Sequence, residues 1–196
     1  MQAYRDHLKQ HGYVLIKNFI SPDALELSKA FLDLSVSSNL REQESNPGYL
    51  SGNVEYIHPN IFADSMLLAY KNPIEAIFET EMIPSYIFFR QYHKGSSLKI
   101  HRDRSVCEFT ATILIHKDGE GGADLAFCDD EEGTNTVNVA MEEGDAIIFG
   151  GAKDFDGRWH YRPTVKQNSV TQAFLHYVSP DNTPEFGFPR PVFRSQ

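Results

Sequence analysis

From residue 85 onward the chain is written in short runs of β-branched and aromatic residues broken by turns, and this pattern constrains the fold more than any other feature. The runs cover 85–92, 98–101, 108–116, 123–128, 135–140, 145–150 and 169–178. Several short strands at this spacing indicate a sandwich or a barrel. The intervening turns at 94–96, 117–122, 129–133 and 142–144 each carry a glycine where a positive φ is wanted.

The first 84 residues read differently. Tyr4, Leu8 and His11 suit a short helix closed by Gly12, and a strand over 13–17 follows. Ser21 offers a cap and Pro22 a first-turn residue to a second helix, which should end near 35–38. Residues 36–62 are rich in Ser, Asn, Gly and Pro and show no period, so they read as a long loop and a candidate lid. A helix is expected over 64–70, and Asn72, Pro73 and Glu75 predict a capped one that buries Ile74, Ile77 and Phe78. The prolines and phenylalanines of 179–196 predict an irregular arm laid on the core. The division expected is one domain over 1–196: helical support and lid in 1–84, a β core in 85–178 and the arm.

With 196 residues and 41% hydrophobic content, the chain encloses a core without staples. Its apolar runs are far shorter than a membrane span, and its start shows no apolar secretory segment, so a cytoplasmic protein is expected. Cys107 and Cys128 then remain thiols and read as buried small apolar residues. The net charge of -9 argues against a sequence-independent grip on nucleic acid. The acidic run 129–132 reads as a solvated hairpin tip, because calcium-loop ligand spacing is absent.

His101 and Asp103 are two apart at the end of a strand, and alternation points both side chains to one face. His-X-Asp alone is common by chance, but here it stands in order: Tyr92 before it, Gly121-Gly122 and Gly144-Asp145 after it, then His160. Two histidines and one carboxylate leave half an octahedron open, the facial set of non-haem Fe(II) that must also bind a cosubstrate and oxygen.

This ordered set resembles the Fe(II)/2-oxoglutarate-dependent dioxygenases over residues 85–178, and the stretch 12–21 (GYVLIKNFIS) is similar to the opening of their phytanoyl and prolyl-hydroxylase-like branches. The resemblance implies a mainly β fold with N-terminal helices around a double-stranded β-helix, the jelly-roll also used by cupins. It implies iron held by His101, Asp103 and His160, and Tyr92 near the cosubstrate. The activity implied couples O2 and decarboxylation of 2-oxoglutarate to succinate with oxidation of a C–H bond. Asp103 favours a hydroxylase over a halogenase, in which a small residue stands at that place.

The family usually places a cation about ten residues after the second histidine and Ser or Thr two later, whereas this chain has Val170 and Gln172. The nearby cations are Arg162 and Lys166, and Arg162 shares a face with His160 if 160–162 is extended. A buried carboxylate tail needs such a partner. Arg90 and Arg104 are candidate contacts for an anionic substrate or members of structural ion pairs. His93, His116 and His176 are expected as satisfied core or rim residues, His7, His11 and His58 as surface or lid residues, and Trp159 as packing. Two other readings stay open, a cupin-like metalloenzyme that does not use 2-oxoglutarate and a non-catalytic jelly-roll binding protein. The substrate expected is a small molecule or a peptide.

Overall fold

The computed structural model describes residues 1–57 and 60–182. His58 and residues 183–196, most of the expected arm, lie outside the described residues. In chain order the elements are α1 (Gln2–His11), β1 (Tyr13–Ile16), α2 (Pro22–Ser37), β2 (Arg41–Gln43), β3 (Leu50–Ser51), β4 (Val54–Ile57), α3 (Ile61–Ala69) and α4 (Lys71–Phe78). They continue with β5 (Ile83–His93), β6 (Ser97–His101), β7 (Phe109–Asp118), β8 (Ala123–Cys128), β9 (Val137–Met141), β10 (Ala146–Gly150), β11 (Trp159–Arg162) and β12 (Ser169–Val178). Single turns of 3-10 helix cover Ser105–Cys107 and Lys153–Phe155. No helix among the described residues is long and apolar enough to cross a membrane.

The local signals act as expected at α1 and α2. Gly12 takes φ 75 and returns its amide to the Leu8 carbonyl, and the Ser21 hydroxyl accepts from the Ala24 amide at 3.2 Å. The capping expected at Asn72 is corrected. Helix α4 begins at Lys71, with Tyr70 alone between it and α3, and Glu75 accepts from Lys71 Nζ at 2.5 Å and from the Met82 amide at 2.7 Å. The working cap belongs to α3, where the Asn60 side chain accepts from the Phe62 and Ala63 amides. The long loop is corrected too: residues 36–62 contain β2, β3 and β4, each too short and too polar to show a period of its own.

The strands form two antiparallel sheets. One has seven strands in the order β1-β10-β7-β12-β5-β4-β2, the other five in the order β3-β6-β11-β8-β9. Ile113, Leu175, Ile87 and Ile148 on the outer face of the larger sheet pack with Leu32, Leu67, Ile74 and Ile77 of the helices. A second core lies between the sheets, where Phe127, Leu125 and Met141 of the smaller sheet meet Phe149, Leu114 and Tyr92 of the larger. Tyr13 stacks on Phe127 there at 4.3 Å. Alternation along each strand of the larger sheet therefore feeds two interiors, a dry one under the helices and one between the sheets that opens into a cavity.

Candidate metal centre and its cavity

Strand β11 pairs antiparallel with β6 so that His160 lies directly opposite His101, and their ring centroids are 4.3 Å apart. Asp103 follows just after β6. Its amide donates to the Gly151 carbonyl at 2.8 Å and its carbonyl accepts from the Lys153 amide at 3.0 Å, which ties it to the segment after β10. Gly151 is required at that crossing, because a Cβ there would stand 2.3 Å from Asp103 Oδ2.

The result is a convergent donor set. Asp103 Oδ1 lies 3.4 Å from His101 Nε2 and 3.6 Å from His160 Nε2. Each imidazole has its Nδ1 2.9 Å from a main-chain carbonyl two residues upstream, Lys99 for His101 and Arg158 for His160. A carbonyl accepts only, so Nδ1 carries a hydrogen in each ring and Nε2, the atom facing Asp103, is the one left for a metal, the second-shell arrangement that orients metal-ligating histidines. One ligand atom from each residue falls within 4.8 Å of the others. Burial alone would raise the Asp103 pKa, but His160 and then His101 outweigh it and hold the carboxyl well below its ordinary value. Asp103 in turn raises His160 against the effect of burial. Two imidazole nitrogens and one carboxylate, held by paired strands and open on one side, suit a first-row divalent ion such as Fe(II).

The set opens into a cavity of about 490 Å³, within the usual span for small-molecule sites. Arg162 lines it, two residues along β11 from His160 and on the same face, as alternation requires. This guanidinium is almost fully buried. Nη1 donates to the Asp124 carbonyl at 3.1 Å, Nη2 donates to Gln172 Oε1, and the plane lies 4.8 Å from the centre of the Tyr92 ring. Its Nε is buried with no partner, and no carboxylate pairs with it among the described residues. Burial presses its pKa down, with Tyr92 opposing. A buried cation without a counter-ion beside a metal-type donor set fits an anionic cosubstrate. Lys166, the other candidate, is exposed and lies outside the cavity lining, which corrects its expected role.

Tyr92 is fully buried in the same wall, and its hydroxyl accepts from Arg90 Nη1 at 3.1 Å. Arg90 also lines the cavity but forms a two-bonded ion pair with Glu44, at 2.6 and 2.7 Å. Arg104 lines it as well and donates to Tyr86 Oη at 3.1 Å. His93 and His116 sit beside Glu55 and Glu143 at 3.3 and 3.0 Å, and Trp159 packs under Arg102 at 4.8 Å, all as structural contacts. His7 and His11 are exposed on α1. In the acidic hairpin tip, Asp129 pairs with Arg158 at 2.9 Å.

The expectation that His176 is a satisfied core or rim residue is corrected. His176 is buried, its Nδ1 lies 3.1 Å from Thr110 Oγ1, and Thr110 reaches Asp103 Oδ2 at 3.3 Å. Its Nε2 is buried and unpartnered, and burial drives its pKa down to about 4, so the ring is neutral at pH 7. Counting in twos from Gln172 along β12 leads to His176, a signal present in the sequence and unused. Cys107 also reaches this corner, 3.0 Å from Tyr86 Oη, and burial raises its thiol to about 12.

No protein-family model matches the chain, and no curated protein matches it in sequence. Solved structures do. A 2OG-Fe(II) oxygenase family oxidoreductase from Burkholderia pseudomallei superposes with a TM-score of 0.71 at 18% identity, over 90% of each chain. The fold is the double-stranded β-helix of these oxygenases. A prolyl-4-hydroxylase from Pseudomonas putida has a TM-score of 0.63 at 16% identity, covering 89% of this chain and 97% of its own. HygX from Streptomyces hygroscopicus, solved with nickel, 2-oxoglutarate and hygromycin B bound, has a TM-score of 0.68 at 10% identity, over 92% of this chain and 88% of its own.

Proposed function

We propose that this chain is an iron(II)- and 2-oxoglutarate-dependent oxygenase, a hydroxylase of a small molecule or of a protein side chain. One observation carries the reading: His101, Asp103 and His160 converge at a cavity whose wall holds Arg162, a buried cation without a counter-ion among the described residues. In this reading His101 and His160 hold iron through Nε2 and Asp103 through a carboxylate oxygen. Arg162, stacked on Tyr92, holds the far carboxylate of 2-oxoglutarate. Bound there, iron with 2-oxoglutarate and O2 supplies the oxidation of a C–H bond, and the cosubstrate leaves as succinate and carbon dioxide.

The chain's own groups set the conditions for that chemistry. The Lys99 and Arg158 carbonyls keep both imidazoles in the ligating tautomer, and Thr110 holds the second oxygen of Asp103. Phe149, edge-on to His160 at 4.7 Å, and Phe127 keep water from the back of the site. A fold neighbour that binds nickel and 2-oxoglutarate supports the same cofactors here. A cytoplasmic setting goes with the two unpaired thiols, and the net charge of -9 goes with a substrate other than nucleic acid.

Anaerobic titration with Fe(II), with and without 2-oxoglutarate, tests the reading. The expected result is a visible chelate absorption that requires both. Iron binding that is indifferent to 2-oxoglutarate would favour a cupin-like metalloenzyme, and no iron binding a non-catalytic jelly-roll.

A further inference from the structure

The chain is acidic, yet four of its nine arginines, Arg90, Arg102, Arg104 and Arg162, line this one cavity, with Glu44 and Asp103 as its only carboxylates among the described residues. Arg90 is neutralised by Glu44 through two hydrogen bonds. On the reading above, Asp103 is committed to iron and Arg162 to 2-oxoglutarate. Arg102 and Arg104 remain, and among the described residues neither has an acidic partner within ion-pair distance. Arg102 is stacked on Trp159 with its Nε buried and unpartnered, and Arg104 is exposed at the rim, held by Tyr86 Oη.

Next to Arg104 the wall is aromatic. Tyr86 lies nearly parallel to Phe88, with centroids 5.9 Å apart and planes at 14°, and Phe88 stacks on Phe174 at 4.9 Å and 12°. This aromatic wall ends at a guanidinium with no acidic partner among the described residues, and all of these residues line the cavity that holds the His101, Asp103 and His160 cluster. Such a surface receives an apolar body, and a guanidinium fork receives an oxyanion through two parallel hydrogen bonds.

We infer that the prime substrate is a small organic anion, a carboxylate or a phosphate on an apolar body, with its charged group on Arg104, Arg102 close by, and its body along Tyr86, Phe88 and Phe174. This inference rests on the proposed oxygenase reading only in assigning Asp103 and Arg162 to other partners. Recognition by a fork at the rim leaves the carbon to be oxidised deeper in the cavity, toward the donor set.

The test uses the full chain under anaerobic conditions with Fe(II) and saturating 2-oxoglutarate, which occupies Arg162. Binding of 3-phenylpropionate, phenyl phosphate and the neutral 3-phenylpropionamide is measured by calorimetry, and the chelate absorption is recorded on the same samples. At least one anion should bind about tenfold or more tighter than the amide, and the tighter of the two identifies the headgroup. Arg104→Gln should bring both anions to within about twofold of the amide, and Arg104→Lys should keep part of the preference because it retains the charge and loses the fork. Equal binding of the amide and both anions overturns the inference, as does a full preference in Arg104→Gln. Anion preference without any chelate absorption sinks the oxygenase reading and leaves the anion site standing. A normal chelate absorption without anion preference does the reverse.

Discussion

The two faces of strand β12 differ in everything but the backbone they share. Ala173, Leu175 and Tyr177 face the helices and join a dry core of aliphatic side chains. Gln172, Phe174 and His176 face the other sheet and line or border the cavity, with Arg162, Thr110 and Thr112 across from them. The same split runs through β5, where Ile87 and Phe89 alternate with Phe88, Arg90 and Tyr92. One face stabilises by removing apolar area from water. The other buries groups whose hydrogen-bonding capacity is incompletely used, a cost that a packing role does not explain and a binding role does.

The comparison breaks most visibly on the dry face. Leu175 is fully buried among the helices, so Leu175→Ala should cost about 2–5 kcal/mol in urea unfolding. Thr112→Val, on the opposite face of the neighbouring strand, should change stability by less than about 1 kcal/mol. Equal losses would mean that the two faces share one packing role.

On the cavity face the expected loss is of binding. Arg162→Ala should raise the 2-oxoglutarate concentration that half-saturates the chelate absorption by about tenfold or more while iron still binds, and Arg162→Lys should recover part of it. An unchanged half-saturation in Arg162→Ala would free that guanidinium from any cosubstrate role.

A carboxylate with its cation elsewhere sharpens the contrast with Arg162, which has no carboxylate partner among the described residues. Asp145 accepts from Lys17 Nζ at 2.7 Å and from the Asn18 and Glu142 amides, and these outweigh burial to hold its pKa below the ordinary value. A depressed carboxylate contributes stability that is complete above its unfolded pKa of about 3.9 and lost as pH falls through the lower folded one. Asp145→Asn should therefore be less stable than the parent at pH 7, with the difference shrinking below about pH 4. A constant difference across acid titration would mean that the carboxylate's charge contributes nothing.

The smallest effect concerns the candidate lid within residues 36–62. Glu44, Tyr49 and Leu50 line the cavity, and Glu44 ties the segment to Arg90. Glu44→Gln should speed amide exchange over 41–51 by a few-fold, because a neutral amide holds a guanidinium less tightly. Unaltered exchange would assign the segment's order to its strand pairing alone.

Much of this architecture was legible in the sequence because it is carried by alternation. The long strands announced themselves, and the same rule placed His160 and Arg162 on one face. What stayed hidden depends on partners distant in sequence. Glu44 meets Arg90 only because β2 pairs with β4 and β4 with β5, and strands β2, β3 and β11 are too short and too polar to show a period. His176 looked like one more strand histidine because nothing local records that Thr110 and Asp103 stand opposite.

The central claim is that one cavity holds one metal through two cross-strand histidines and Asp103. Its most direct test is iron stoichiometry under anaerobic conditions in the parent, His101→Ala and His160→Ala, with circular dichroism confirming the fold of each. The account predicts one tightly bound Fe(II) per parent chain and none in either variant. Full iron occupancy in both folded variants would contradict it.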